Sequence, residues 1–141
     1  LGGLDDLYKE VILDHYKNPR NKHDLPGAER SSSKNNPLCG DEITVLAHLD
    51  GGAVAEVAFL GSGCSISQAS ASMMTEAVKG KSVDEAREVT TEFRGMMEGA
   101  LDPDEDDLGD LMALKGVVKY PVRIKCAVLA WDVLQDALAD R

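Results

Sequence analysis

Apolar residues recur at Leu4, Leu7, Tyr8, Val11 and Ile12, a three-to-four-residue spacing that predicts an amphipathic helix at the start of the chain. It should stop near Asn18-Pro19, because the residue before a proline avoids the helical region. The stretch from Pro19 to Pro37 is polar and reads as loop, with a short edge strand around residues 28–33. The period then falls to two. Ile43, Val45, Ala47 and Leu49 alternate, and so do Ala55, Val57 and Phe59; Asp50-Gly51-Gly52 between them signals a hairpin turn. A helix should follow from Cys64 or Ser65 through the small residues Ala69, Ser70, Ala71 and Ser72 to about Lys79. Ser82, with Glu85 three residues on, forms a capping box that opens another helix, expected to reach about Ala100. A short helical piece is expected over residues 108–114. Pro121 suits the first position of a last helix, whose apolar stripe is Ala127, Ala130, Trp131, Leu134 and Leu138.

Helix, strands, then helices predict an α+β fold, a small antiparallel sheet of about three strands packed against helices. The 141 residues allow one domain with one core, residues 1–141. With one Trp, three Tyr and two Phe, that core must be mostly aliphatic, and the methionines Met73, Met74, Met96, Met97 and Met112 are expected to fill it. The net charge of −10 argues against nucleic acid, whose binding draws affinity from Lys and Arg on phosphates, and against an anionic membrane surface. No apolar run is long enough to span a bilayer, and no secretory leader is visible. Three cysteines are an odd number for a disulfide framework. A reducing, cytoplasmic setting is the expectation, where thiols serve as ligands, nucleophiles or core residues.

Two of the cysteines flank the hairpin. Cys39-Gly40-Asp41 precedes the first clear strand, and glycine lets the chain turn so that thiol and carboxylate face one ion. Cys64 follows the return strand after Gly61-Ser62-Gly63, so the hairpin brings both segments to the same sheet edge. Cys64 also begins a helix, where free N–H groups and the helix dipole favour a thiolate. Cys126 lies early in the last helix, three residues after Arg123 and so on the same face. Three thiolates and a carboxylate form a tetrahedral set suited to zinc. Against this stands the ordinary use of cysteine as a small buried residue; spacing leaves both readings open.

Other candidates are weaker. His15, His23 and His48 read as solvated or structural, His15 as an anchor for the N-terminal segment. Asp102-Pro103-Asp104-Glu105-Asp106 starts like a calcium loop, but Asp107 stands where glycine is required and Ala113 where a bidentate glutamate is required. The acidic run, six acids between Asp102 and Asp110, is expected to be a solvated face. The Gly61–Ser65 turn lacks the lysine of a phosphate-binding loop.

Cys39-Gly40-Asp41, Gly61-x-Gly63-Cys64-x-Ile66-Ser67-x-Ala69-Ser70 and Lys125-Cys126-Ala127 resemble, in order, the three signature segments of the U-type iron–sulfur cluster assembly family. Leu7-Tyr8 and Asp14-His15-Tyr16-x-x-Pro19-Arg20 resemble its N-terminal helix. The resemblance implies an α+β fold with the metal site at one exposed end. Lys125 stands where the housekeeping scaffold has histidine, and Lys119-Tyr120-Pro121-Val122-Arg123 departs from that scaffold's chaperone-binding segment. Residues around 100–118 look like the insertion of the SufU type. The resemblance therefore implies a zinc-dependent sulfurtransferase that accepts sulfur from a SufS-type cysteine desulfurase and feeds downstream iron–sulfur assembly components. Its metal ligands would be Cys39, Asp41, Cys64 and Cys126, with Cys39, on a loop, as sulfur acceptor once a desulfurase histidine takes its place at zinc. Arg123 would steady the freed thiolate or the docked partner. The alternative is a scaffold that assembles a [2Fe–2S] cluster on the same four residues.

Overall fold

The computed structural model describes residues 3–38, 40–103 and 108–139, with side chains from residue 9 onward. Helix α1 (Gly3–Lys17) ends one residue before Asn18-Pro19, and Asn18 N–H caps it by donating to the Asp14 carbonyl at 2.8 Å. Three antiparallel strands follow, β1 (Arg30–Asn36), β2 (Asp41–Asp50) and β3 (Ala53–Ser62), in the order β1-β2-β3. The edge strand thus lies later than residues 28–33, where the sequence placed it. Its residues are polar because only its inner neighbour β2 needs a buried face.

On β2 the alternation holds: Ile43, Val45 and Ala47 are buried while Glu42 between them and Asp41 is exposed. On β3 it does not run as the sequence suggested. The register shifts between His48 and Leu49, so that Leu49 pairs with Val54 and His48 with Glu56. This bulge leaves Ala55 exposed and puts Val54 in the core with Val57 and Phe59.

Helix α2 (Ser65–Val78) and helix α3 (Val83–Met97) pack behind the hairpin, followed by a 3-10 helix (Gly109–Lys119) and helix α4 (Pro121–Ala137). The Ser82–Glu85 capping box is formed in both directions. Helix α3 stops three residues earlier than expected. Its end is wrapped by Gly99 at φ +77°, and Ala100 and Leu101 both donate back to the Gly95 carbonyl, a glycine-terminated cap. The piece expected over 108–114 instead continues to Lys119 as a 3-10 helix.

The small residues of α2 explain how α4 packs so closely. Ser70 Oγ donates to the Ala127 carbonyl at 2.6 Å and accepts from Trp131 Nε1 at 3.2 Å. A larger side chain at Ser70 would push the indole out. Trp131, fully buried, stacks on Phe93 with ring centroids 4.8 Å apart. All five methionines are buried around this aromatic pair and its aliphatic surroundings. No helix among the described residues is long and apolar enough to cross a membrane.

Candidate metal centre

Asp41 opens β2, Cys64 closes the return from β3, and the two strands are paired, Glu42 opposite Ser62. The hairpin therefore sets the carboxylate beside the first turn of α2. Asp41, 1% exposed, accepts the backbone N–H of Cys64 at 2.8 Å through Oδ1, and its Oδ2 lies 3.8 Å from Cys64 Sγ. Glycine makes this approach feasible. A Cβ on Gly63 would stand 2.3 Å from Asp41 Oδ1, and one on Gly61 would stand 2.0 Å from the Glu42 carbonyl oxygen; both glycines also sit at positive φ, +147° and +148°.

Cys64 is itself the N-cap of α2. Its Sγ accepts the Ser67 N–H at 3.5 Å, and Ser67 Oγ donates to the Cys64 carbonyl at 3.1 Å. A sulfur here replaces the usual cap oxygen and meets the positive end of the helix dipole, a setting that favours thiolate. Cys126 arrives from the second turn of α4. It is fully buried, with Sγ 3.7 Å from the Val122 carbonyl oxygen.

One donor atom from each of Asp41, Cys64 and Cys126 lies within 4.8 Å of the others, the only such grouping of three or more His, Cys, Asp or Glu among the described residues. Soft sulfur plus one carboxylate oxygen is a donor set that fits a zinc-like ion. Two buried polar atoms, Asn36 Nδ2 and Gln68 Oε1, have no hydrogen-bond partner among the described residues. Asn36 pairs with Asp41 across the β1–β2 ladder, and Gln68 lies one turn along α2 from Cys64.

Arg123 lies on α4 three residues before Cys126. Its pKa is raised, first by the negative charge of Cys64, then by hydrogen bonding to Cys126 and that residue's charge. The charge of both sulfurs thus bears on one guanidinium. The link to Cys64 was not legible in the sequence, since it depends on how α4 docks against the start of α2.

Cys39 lies outside the described residues. Its neighbours are described: Leu38 is 70% exposed, and Gly40, at φ +69°, donates its N–H to the Asn36 carbonyl at 2.9 Å.

The histidines stay away from this cluster. His15, buried, contacts Ser72 Oγ at 2.8 Å through Nδ1 and Asp110 Oδ2 at 3.3 Å through Nε2. It ties α1 to α2 and to the 3-10 helix, the anchoring role its sequence position suggested. His48 pairs with Glu29, and His23 contacts the Asp24 carbonyl. Of the acidic run, Asp102 pairs with Lys115 and Asp110 meets His15, while residues 104–107 lie outside the described residues.

Residues 7–127 match the family model for the NifU-like N-terminal domain. Among curated proteins, the chain is 51% identical over 139 residues to the zinc-dependent sulfurtransferase SufU of Bacillus subtilis, covering 96% of this chain and 92% of that protein. It is 44% identical over 138 residues to the iron–sulfur cluster assembly scaffold protein IscU of Streptococcus pyogenes, covering 98% and 86%. Among solved structures, a proposed iron–sulfur cluster assembly scaffold for the SUF system of Fervidobacterium islandicum superposes with a TM-score of 0.88 at 36% identity, covering 97% of this chain and 100% of that one.

Proposed function

This chain belongs to the family of NifU-like N-terminal domains, and from that premise we propose that it acts in iron–sulfur cluster assembly as a zinc-dependent sulfurtransferase fed by a SufS-type cysteine desulfurase. The observation that carries this reading is the gathering of Asp41, Cys64 and Cys126 within 4.8 Å. It is supported by the 51% identity to a protein named for that activity.

Cys39, Asp41, Cys64 and Cys126 would hold the zinc. Zinc, when bound, keeps its thiols deprotonated and restrains their reactivity. The chain's own residues supply the rest. The Cys39 thiolate attacks the outer sulfur of the desulfurase persulfide. A new sulfur–sulfur bond forms on Cys39, the old one breaks, and the desulfurase cysteine leaves as a thiolate; no net oxidation occurs. Arg123 offsets the negative charge that sulfur chemistry accumulates at this edge. Asp41 fixes the start of α2 and so the direction of Cys64. Buried Cys126 stays with the core.

Desulfurase turnover on cysteine tests the reading. The wild type should accelerate it, and Cys39→Ser should abolish the acceleration, because a serine hydroxyl stays protonated near neutral pH. Equal acceleration by both proteins would sink the assignment of Cys39.

A second reading, a scaffold for a [2Fe–2S] cluster on the same residues, is favoured by the 44% identity to a protein named as such a scaffold. Protein purified without oxygen distinguishes the two: stoichiometric zinc and no visible absorption support the sulfurtransferase, whereas iron with sulfide and coloured protein support the scaffold.

A further inference from the structure

Beside the thiol cluster runs a groove of about 560 Å³, formed where α1, the start of α2, the 3-10 helix and the first turn of α4 meet. Its charged lining residues are Lys9, Lys119 and Arg123, with no acid among the described residues that line it. That is unexpected on a chain whose net charge is −10. Its apolar wall includes Ile12, Ile66 and Tyr120. Tyr120 is 61% exposed, and Val122 two residues on is 58% exposed. Leu38, on the other side of the cluster in sequence, is exposed as well. Exposed Tyr120 and Val122 on either side of Pro121, with Arg123 next to them, mark a protein-binding surface.

We infer that this groove docks a segment of the sulfur-donating desulfurase that combines acidic side chains with an apolar anchor. The inference rests on the function proposed above and gives it a partner surface. Charge complementarity fixes the occupant: Lys9 and Lys119, which form no ion pair among the described residues, favour carboxylates, and Tyr120 and Ile66 give an apolar side chain somewhere to bury. The groove reaches the thiol edge, since its lining includes Ser65, next to Cys64, and Arg123, three residues before Cys126 on α4. A segment held there would therefore sit next to the sulfurs, which is where a donor persulfide must arrive. Lys9 and Lys119 are exposed and form no hydrogen bond or ion pair with Asp41 or Cys64 among the described residues, so they bear on docking without being part of the chemistry.

The test compares the wild type with the double variant Lys9→Glu, Lys119→Glu and with a control of equal charge change outside the groove, Lys34→Glu, Lys79→Glu. The assay is titration of each protein into a SufS-type desulfurase, read as the half-saturating concentration and the rate at saturation. Zinc content and circular dichroism serve as checks on each sample. We expect the groove variant to raise the half-saturating concentration about tenfold and to lose most of the salt dependence of binding, with the saturated rate within about twofold of wild type. The control should match the wild type. Tyr120→Ser should also weaken half-saturation, with its salt dependence unchanged. An unchanged half-saturating concentration in the groove variant, with an active wild type, would overturn the docking site and leave the sulfurtransferase reading standing. So would an equal loss in the control, which would make the effect one of net charge. A defect seen only as a higher demand for free cysteine would place a small molecule in the groove and overturn it too. A wild type that neither binds nor stimulates the desulfurase would remove the proposed function and this inference together.

Discussion

Asp41 carries two tasks on one carboxylate. Oδ2 faces Cys64 Sγ while Oδ1 receives the Cys64 N–H, so the same group offers a ligand atom and anchors the helix that presents a thiol. The glycine at position 63 is what admits it. We expect Asp41→Ala to slow desulfurase stimulation several-fold, to retain metal on the thiolates, and to lower stability by about 1–3 kcal/mol, the range for removing a buried partner from a hydrogen bond to charge. Turnover assays and denaturant melts read these separately. An unaltered rate at saturating desulfurase would show that the carboxylate has no functional part. At this scale the sequence was informative in part: Cys39-Gly40-Asp41, Cys64 after two nearby glycines, and Arg123 three residues before Cys126 suggested a metal site, which spacing alone left open against buried core cysteines. What it concealed was the backbone hydrogen bond from Cys64 to Asp41, because nothing in a linear pattern reveals which oxygen of a carboxylate meets which N–H.

Elements are held to one another by a few long-range polar ties. His15 joins α1 to α2, Ser70 joins α2 to α4, and Glu29 reaches from the loop before β1 to His48 and the Leu49 N–H at the far end of β2. In the last of these, the hydrogen bond to His48 is the main reason the Glu29 carboxyl is pulled down to about 2, and the same bond raises His48 above its ordinary value. The two shifts give a pH window. The His48 contribution is fully present below the unfolded histidine value and fades as pH rises through its raised folded value. The Glu29 contribution is fully present above the unfolded carboxylate value and fades as pH falls towards about 2. The pair should therefore be intact between about pH 4.5 and 6.5, the two unfolded values. We expect an NMR titration to show His48 titrating above 6.5, and Glu29→Gln to bring it back; a titration unaffected by that substitution would refute the pairing. Element boundaries that rest on local chemistry, such as the Ser82 capping box and the stop before Pro19, were legible in sequence. Those set by tertiary contacts were not. The β-bulge after His48 reversed the facing of Val54 and Ala55, and the 3-10 helix ran on to Lys119 because Leu111, Leu114 and Val117 all found the core.

Across the whole molecule, Asp41, Cys64 and Cys126, far apart in sequence, converge on one edge; the hairpin foretold the meeting of the first two segments, while the arrival of Cys126 with α4 was expected from the family resemblance alone. The groove between α1 and the 3-10 helix was not foreseen, since it arises from packing and not from any motif. A metal at the convergence would tie β2, α2 and α4 together. Structural zinc can supply ~10–16 kcal/mol of apparent binding energy in small peptides, comparable with the ~5–15 kcal/mol that holds a typical domain folded. Chelation should thus lower the melting temperature by about 10 °C or more, and readdition of zinc should restore it; a chelator-insensitive melt would mean that no metal braces this edge. The central claim is that sulfur passes through this chain on Cys39. The most direct measurement is mass spectrometry of the protein after incubation with a SufS-type desulfurase and cysteine, followed by thiol blocking and digestion. The account predicts one added sulfur on the peptide that contains Cys39, absent when cysteine is omitted. Added sulfur on Cys64 or Cys126 instead, or on no cysteine while turnover is still accelerated, would contradict it.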